Sequence, residues 1–246
     1  DFSIDDEKPV HYYTMGEEKW KAADVWPPPA KQHSFFPGPL GILSQKPPAE
    51  GGEDTYLGDY ACGTGFHSRY DRLYIQNVET YYDDWDGRED LMLSYIGCPL
   101  EVDMEVTGHP YVDLYFAASE RDCTFFVYLS EVSPAGKSIY VTEGVFRALH
   151  RRPGVPFKNI PKTGPPHSFR RCDAALLEPG EATEASFELL PTSYLFRSGH
   201  RIRLSIALAD SDHFTRIPDG RPPKLSLFRS PDRQSRLVLP VVSINH

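Results

Sequence analysis

The clearest hydrophobic pattern in the chain is His200-Arg201-Ile202-Arg203-Leu204-Ser205-Ile206-Ala207-Leu208, where polar and apolar residues alternate. A period of two belongs to an extended strand, and it predicts a sheet with one wet face and one core face. From residue 91 onward similar signals recur. Leu91–Ile96, Val102–Thr107 (ending at Gly108), Tyr111–Ala118 (after the Pro110 turn) and Thr124–Val132 each read as a strand. The turn Ser133-Pro134-Ala135-Gly136-Lys137 then leads into a long strand over Ser138–Arg151, expected to bend at Gly144, so this pair reads as a β-hairpin with a longer loop. Residues 153–167 hold five prolines and no periodicity, which marks a loop. Ala182–Leu190 and Ser235–Val242 complete the set. Six or more strands at short, turn-punctuated spacing point to a sandwich, jelly roll or barrel. Helix–strand alternation is absent, so a doubly wound sheet is not supported.

The first third is less regular. Pro9–Met15 reads as a strand closed by Gly16, and Glu17–Asp24 as a short helix stopped by Pro27-Pro28-Pro29. Residues 33–60 are rich in Pro and Gly and read as a long excursion with brief strands at Ser34–Phe36 and Gly41–Leu43. Residues 61–90 read as mostly irregular and end in a polar, acidic stretch. No internal repeat is visible.

Composition sharpens this picture. Among 246 residues, 40% are hydrophobic and 13% aromatic, enough for a real core and favourable to half-buried pleated surfaces. The 23 Pro and 18 Gly imply many turns. A net charge of -9 argues against nucleic acid as a partner, since the densest basic runs are only the pairs Arg151–Arg152 and Arg170–Arg171. No apolar run approaches the ~20 residues that cross a bilayer, so no membrane partner is expected. No signal peptide is evident, and a start at Asp1 rather than Met is also expected of a piece of a longer protein; the expectation is a cytoplasmic location unless a signal peptide lies upstream. The cysteines, Cys62, Cys98, Cys123 and Cys172, lack any C-x-x-C or zinc-ribbon spacing; buried free thiols are the expectation, with two disulfides as the alternative.

Searches for chemistry return little. The nearest approach to a G-x-S-x-G nucleophile elbow is Gly136-Lys137-Ser138-Ile139-Tyr140, whose fifth residue is Tyr and whose continuation is a strand. Gly63-Thr64-Gly65 is the one G-x-G, and without a third Gly or a following helix it reads as a tight turn that lets backbone pass close to something else. The run Asp83–Asp90 invites a calcium reading, but Tyr82 and Leu93 stand where an EF-hand loop needs its first ligand and its terminal Glu; a solvated acidic loop is expected. The nine histidines are scattered, so neither a metal site nor a cofactor is expected. His213, in Asp210-Ser211-Asp212-His213-Phe214, lies at a sheet end and reads as a hydrogen-bonded loop histidine rather than an acid–base group.

Several linked segments resemble one family. Leu190-Pro191-Thr192-Ser193-Tyr194-Leu195-Phe196-Arg197-Ser198-Gly199-His200-Arg201-Ile202-Arg203-Leu204 closely resembles the C-terminal domain of X-Pro dipeptidyl-peptidase and cocaine-esterase/NonD serine hydrolases. Leu100–Pro110 resembles that family's first main strands, Asp122–Gly136 its hairpin, Thr142–Arg151 the continuation, and Ser235–Val242 its closing strand. Pro9–Gly16, with Trp20 and Trp26-Pro27, resembles the bridge that leaves the catalytic domain. Within this resemblance Gly199 supplies a positive-φ turn, and Ser193–Phe196 a short helical turn packing Leu195 and Phe196 inward.

The resemblance implies an all-β, jelly-roll sandwich of the galactose-binding-domain-like kind with a long irregular N-terminal excursion. Residues 1–30 would be a bridge from an upstream α/β-hydrolase domain, and residues 31–246 the jelly roll. It implies a parent enzyme that cleaves esters or X-Pro peptides with a Ser-Asp-His triad. All three triad residues of such enzymes precede the stretch that Pro9-Val10-His11 resembles, so no catalytic residue carries over to this chain. The expected partners are the upstream catalytic domain and a second copy in a homo-oligomer. In relatives the segment between bridge and main strands lies near the active-site mouth, which makes Thr64, Gly65, Phe66 and His67 candidate walls of the parent's acyl pocket, with a docking surface between the domains as the alternative reading of the same residues. Phe35, Phe36, Leu40, Ile42 and Leu43 are the candidates for an exposed docking face. The alternative reading is a free-standing carbohydrate-binding module in which Trp85 and Tyr81–Tyr82 stack on a sugar.

Overall fold

The computed structural model describes residues 7–65, 68–69, 82–154 and 164–243. Its elements are strands joined by loops and short 3-10 turns. They are β1 (Val10–Thr14), β2 (Lys19–Ala23), β3 (Lys31–Pro37), β4 (Ile42–Ser44), β5 (Gly52–Leu57), β6 (Leu93–Gly97), β7 (Met104–Gly108) and β8 (Tyr111–Ala118). After them come β9 (Thr124–Val132), β10 (Ser138–Arg147), β11 (Thr183–Glu188), β12 (Thr192–Phe196), β13 (Arg201–Ala207), β14 (Lys224–Arg229) and β15 (Arg236–Val241). No helix among the described residues is long and apolar enough to cross a membrane.

Two layers form the sandwich. One runs β10-β9-β13-β6-β4. The other is centred on β8, which pairs with β11 along one edge and with β15 and β14 along the other; β14 carries β5, and β15 meets both β3 and the β7-β12 pair. The layers share β3, whose Lys31–Phe35 pairs with β15 and whose Phe36 and Pro37 pair with β4. Between the layers sit stacked aromatic rings. Phe116 of β8 meets Phe125 of β9 edge-on at 4.8 Å, and Phe146 of β10 lies parallel to Phe187 of β11 at 4.7 Å. Alternation aims these rings inward, since every second residue of a strand faces the same side.

β9 is buried along its whole length, which alternation alone does not explain. Phe125, Val127 and Leu129 face the inter-layer core. Phe126 and Tyr128 face outward into a second cluster with Cys62, Trp85, Met92, Tyr140 and Ala207. A layer of loops therefore roofs the outer face of β10-β9-β13. The wet face expected for β13 is accordingly covered: Ser205 is buried, and Arg203 donates to Glu89 at 2.6 Å. A bulge at Val141 sets this geometry. Tyr140 opposes Ser130 and Thr142 opposes Leu129, so Val141 is the extra residue and Glu143 stands opposite Tyr128 on the outer face. The irregularity lies here and not at Gly144, and the strand ends at Arg147 in a 3-10 turn over Ala148–His150.

The amino-terminal region departs most from expectation. Lys19–Ala23 is no helix but β2, which pairs with β1 in a two-stranded hairpin, Tyr13 opposite Trp20. Ser193–Phe196 is likewise extended, in β12. Cross-strand pairing decides both cases over local propensity. β5 and β14, unexpected from the sequence, pair with one another. Gly199 does take a positive φ, 80°. The hairpin is bound to the sandwich: Met15 bridges Tyr194, and Arg197 donates to the Gly16 carbonyl at 2.6 Å. A buried chain of side chains runs beneath it. Thr14 and Thr107 each hydrogen-bond Ser193, at 2.9 and 2.8 Å, and Thr107 donates to Glu105 at 3.0 Å. Lys21 of β2 closes the chain by donating to Glu105 at 2.6 Å and to Glu17 at 2.5 Å.

Of the residues expected to form an exposed docking face, Phe35, Phe36 and Leu43 are in the core. Only Leu40, in the turn before β4, and Ile42, which alternates to the opposite side of β4 from Leu43, remain exposed.

Candidate functional site

The segment Gly58–Gly65 crosses the roof of the outer face and is fastened to the loop after β13. Its first anchor is Gly58 N–H donating to the Pro223 carbonyl at 2.9 Å. Ser211 N–H then donates to the Cys62 carbonyl at 2.8 Å. Two glycines allow the approach. A Cβ on Gly63 would meet Ser211 Oγ at 2.8 Å, and Gly65 has φ +56° with Arg88 Nη2 only 2.7 Å from where a Cβ would stand. Gly65 N–H donates to Asp212 Oδ2 at 2.7 Å.

Thr64 points inward and is fully buried. Its hydroxyl donates to Asp210 Oδ2 at 3.1 Å and lies 3.4 Å from His213 Nδ1. Asp210, itself buried, also accepts from Tyr128 at 3.4 Å and from the Asp212 N–H at 3.1 Å, and both its oxygens are 3.3 Å from His213 Nδ1. A buried carboxylate needs such a set of donors. Threonine, histidine and aspartate thus meet, yet not as a catalytic relay. In a triad the carboxylate and the nucleophile hold opposite ring nitrogens; here both engage Nδ1, and Thr64 is sealed from solvent. His213 is the hydrogen-bonded loop histidine expected of it. Phe66 and His67 lie outside the described residues, as does Tyr81.

A second buried carboxyl lies on the same face. Burial pushes the Glu143 carboxyl up to about 7, with Asp210 adding to the rise and Tyr140 and Arg69 opposing it. Its Oε1 has no hydrogen-bond partner among the described residues. Arg69 reaches this region by donating to Thr142 Oγ1 at 3.3 Å and to the Pro191 carbonyl at 3.1 Å. The acidic run expected to be solvated instead supplies part of the roof. Trp85 is fully buried against Tyr128 (5.1 Å) and Tyr140 (6.0 Å), and Glu89 is buried on Arg203 and Ser138. Trp85 therefore offers no face to a sugar, which removes one of the three aromatics of the carbohydrate reading; Tyr82 is half-buried. Nothing local in the sequence signals the Glu89–Arg203 or Thr64–Asp210 pairings, because their partners lie more than 100 residues away.

All four cysteines are free; Cys62 and Cys123 are buried, whereas Cys98 and Cys172 are exposed, contrary to the expectation that all are buried. Burial raises the Cys62 thiol to about 12 and the Cys123 thiol further. Since the thiolate is the reactive species, native protein treated with an aromatic disulfide at pH 8 is expected to react at Cys98 and Cys172 only. Rapid release of more than two equivalents would contradict this assignment.

The geometry defines a class: a β-sandwich whose polar cluster, Thr64, Asp210 and His213 among it, ties its loops together. The chain belongs to the family of X-Pro dipeptidyl-peptidase C-terminal non-catalytic domains, whose profile matches residues 3–238. It is 41% identical over 246 residues to a provisionally assigned serine esterase of Mycobacterium bovis, covering 98% of this chain and 38% of that protein. It is 25% identical over 258 residues to the cocaine esterase of a Rhodococcus species, covering 95% of this chain and 42% of the relative. Among solved structures, an aminopeptidase from a marine-sediment Thaumarchaeota archaeon superposes with a TM-score of 0.74 at 20% identity, over 97% of this chain and 41% of that one. The chain spans about two-fifths of the length of the curated relatives it matches.

Proposed function

We propose that the chain is the jelly-roll module of a longer serine hydrolase. In this reading residues 1–30 bridge from an upstream α/β-hydrolase domain, residues 31–246 form the jelly roll that packs on it, and the parent cleaves acyl esters by a Ser-Asp-His triad contributed entirely upstream. The observation that carries it is the 41% identity to a protein named as a serine esterase, of which this chain spans 38%. An ester is favoured over an X-Pro peptide because that relative and the Rhodococcus protein are both named as esterases.

The anchoring of the Gly58–Gly65 segment supports a role of the module beside the acyl pocket. Thr64 and Gly65 are fixed from below by Asp210 and Asp212. They would hold the neighbouring Phe66 and His67 as part of the acyl-pocket wall, where preorganised contacts set which acyl chain fits. The test uses the full-length protein with a series of p-nitrophenyl esters and an X-Pro anilide. Ester turnover, with Phe66→Ala shifting kcat/KM between short and long acyl chains by about tenfold, is the expected result. No ester hydrolysis sinks the esterase assignment, and unchanged ratios across the series sink the pocket wall.

A further inference from the structure

The outward face of the β1–β2 hairpin has the wrong composition for a surface that meets water. Register places His11 opposite Ala22 and Tyr13 opposite Trp20, and these four side chains share one face. All four are exposed, Trp20 at 73%, while Val10, Tyr12, Thr14, Lys19, Lys21 and Ala23 take the other face, where Lys19 at the hairpin tip is exposed too. Trp20 packs edge-on against Tyr13 at 5.5 Å. A solvent-facing ribbon ordinarily alternates to polar residues on that side; here the charged Lys21 faces inward and the indole faces out. Beside Tyr13 opens a cavity of about 360 Å³, lined by Met15, Arg69, Tyr82, Pro191, Thr192 and Ser193. Exposed Trp and Tyr next to a pocket are the residue types that dominate binding energy at interfaces.

We propose that this hairpin face and its adjoining cavity are the seat of the upstream catalytic domain of the same polypeptide, an apolar side chain of which fills the cavity beside Tyr13. The proposal rests on the reading above that such a domain exists. What selects this occupant over a second copy of the chain is position and length. The matched family is a C-terminal domain, and the relatives are more than twice as long as the matched region. The C-terminal domain match begins at residue 3, so polypeptide ahead of it joins next to β1, the first element, whose outward face carries Tyr13 with Trp20 opposite. The hairpin is also held rigidly, through Glu105, Ser193 and Arg197, so it presents a preformed surface at little ordering cost.

The experiment places the photo-crosslinker p-benzoylphenylalanine at position 20 of the full-length protein, with a second variant carrying it at position 22 on the same face. Irradiated protein is digested and the cross-linked peptides are mapped by mass spectrometry. Fluorophosphonate labelling of the same sample reports the upstream active serine independently. Cross-links within one polypeptide, from position 20 or 22 to upstream residues, are expected in fluorophosphonate-labelled protein. Cross-links joining two copies would assign the face to an oligomer and overturn the proposal. Labelled protein that folds yet gives no cross-link at either position overturns it too. Absence of fluorophosphonate labelling would instead remove the hydrolase reading beneath it.

Discussion

Replacing Glu143 by Gln is expected to stabilise the protein above pH 7 and to flatten its pH dependence between about 4.5 and 7. The carboxyl titrates near 7 in the fold against 4.5 in a free chain, because burial outweighs the hydrogen bonds and charge that Tyr140 and Arg69 bring to it, and Asp210 adds to the rise. A group that holds its proton more tightly when folded contributes stability that is fully present below pH 4.5 and is lost as pH rises through 7. That gap is worth about 3 kcal/mol at most. For a chain of this size it corresponds to roughly 10 °C in melting temperature. The amide of the Glu143→Gln variant mimics the protonated carboxyl, so wild type and variant should melt alike at pH 4.5 and diverge by pH 8. Parallel melting curves across pH 5 to 8 would mean that the carboxyl is compensated, and the assignment would fall.

Trp85→Ala is expected to have a comparable effect by a different route. The indole fills the space between Tyr128 and Tyr140 and is fully buried. Deleting a buried aromatic side chain costs about 3–5 kcal/mol through lost transfer energy and the cavity left behind. The second readout is chemical. Cys62 belongs to the same cluster, whereas Cys123 lies in the inter-layer core. The variant should expose the Cys62 thiol to a disulfide reagent under native conditions while Cys123 stays protected. A destabilised variant that leaves both protected would show that the roof does not open locally.

How much of this was legible follows from where each burial comes from. The bounds of β8 and β9 coincide with the runs Tyr111–Ala118 and Thr124–Val132, since apolar side chains there meet the core wherever the neighbours lie. β2 was not legible: Lys19-Trp20-Lys21-Ala22-Ala23 has no β-branched residue and becomes a strand only through its register with β1. β14 follows two prolines and is short, and its place is fixed by β5 and β8. The roof escaped for a related reason. Asp83–Asp90 is polar in composition, yet Glu89 finds Arg203 and Trp85 finds two tyrosines. The turn at Gly63-Thr64-Gly65 and the loop at His213 were each visible as local features. That they grip one another through Asp210 and Asp212 is a property of the fold alone.

The row of hydroxyls and carboxylates under the first hairpin has a mechanical consequence. Thr14, Ser193, Thr107, Glu105 and Lys21 form a continuous, largely buried series of bonds from the hairpin into β7 and β12. Opening a joint there would break the Lys21–Glu105, Thr14–Ser193 and Arg197–Gly16 bonds together. Residues 10–23 consequently swing with the sandwich as one lever arm, and in a longer polypeptide any hinge must have its axle before Val10.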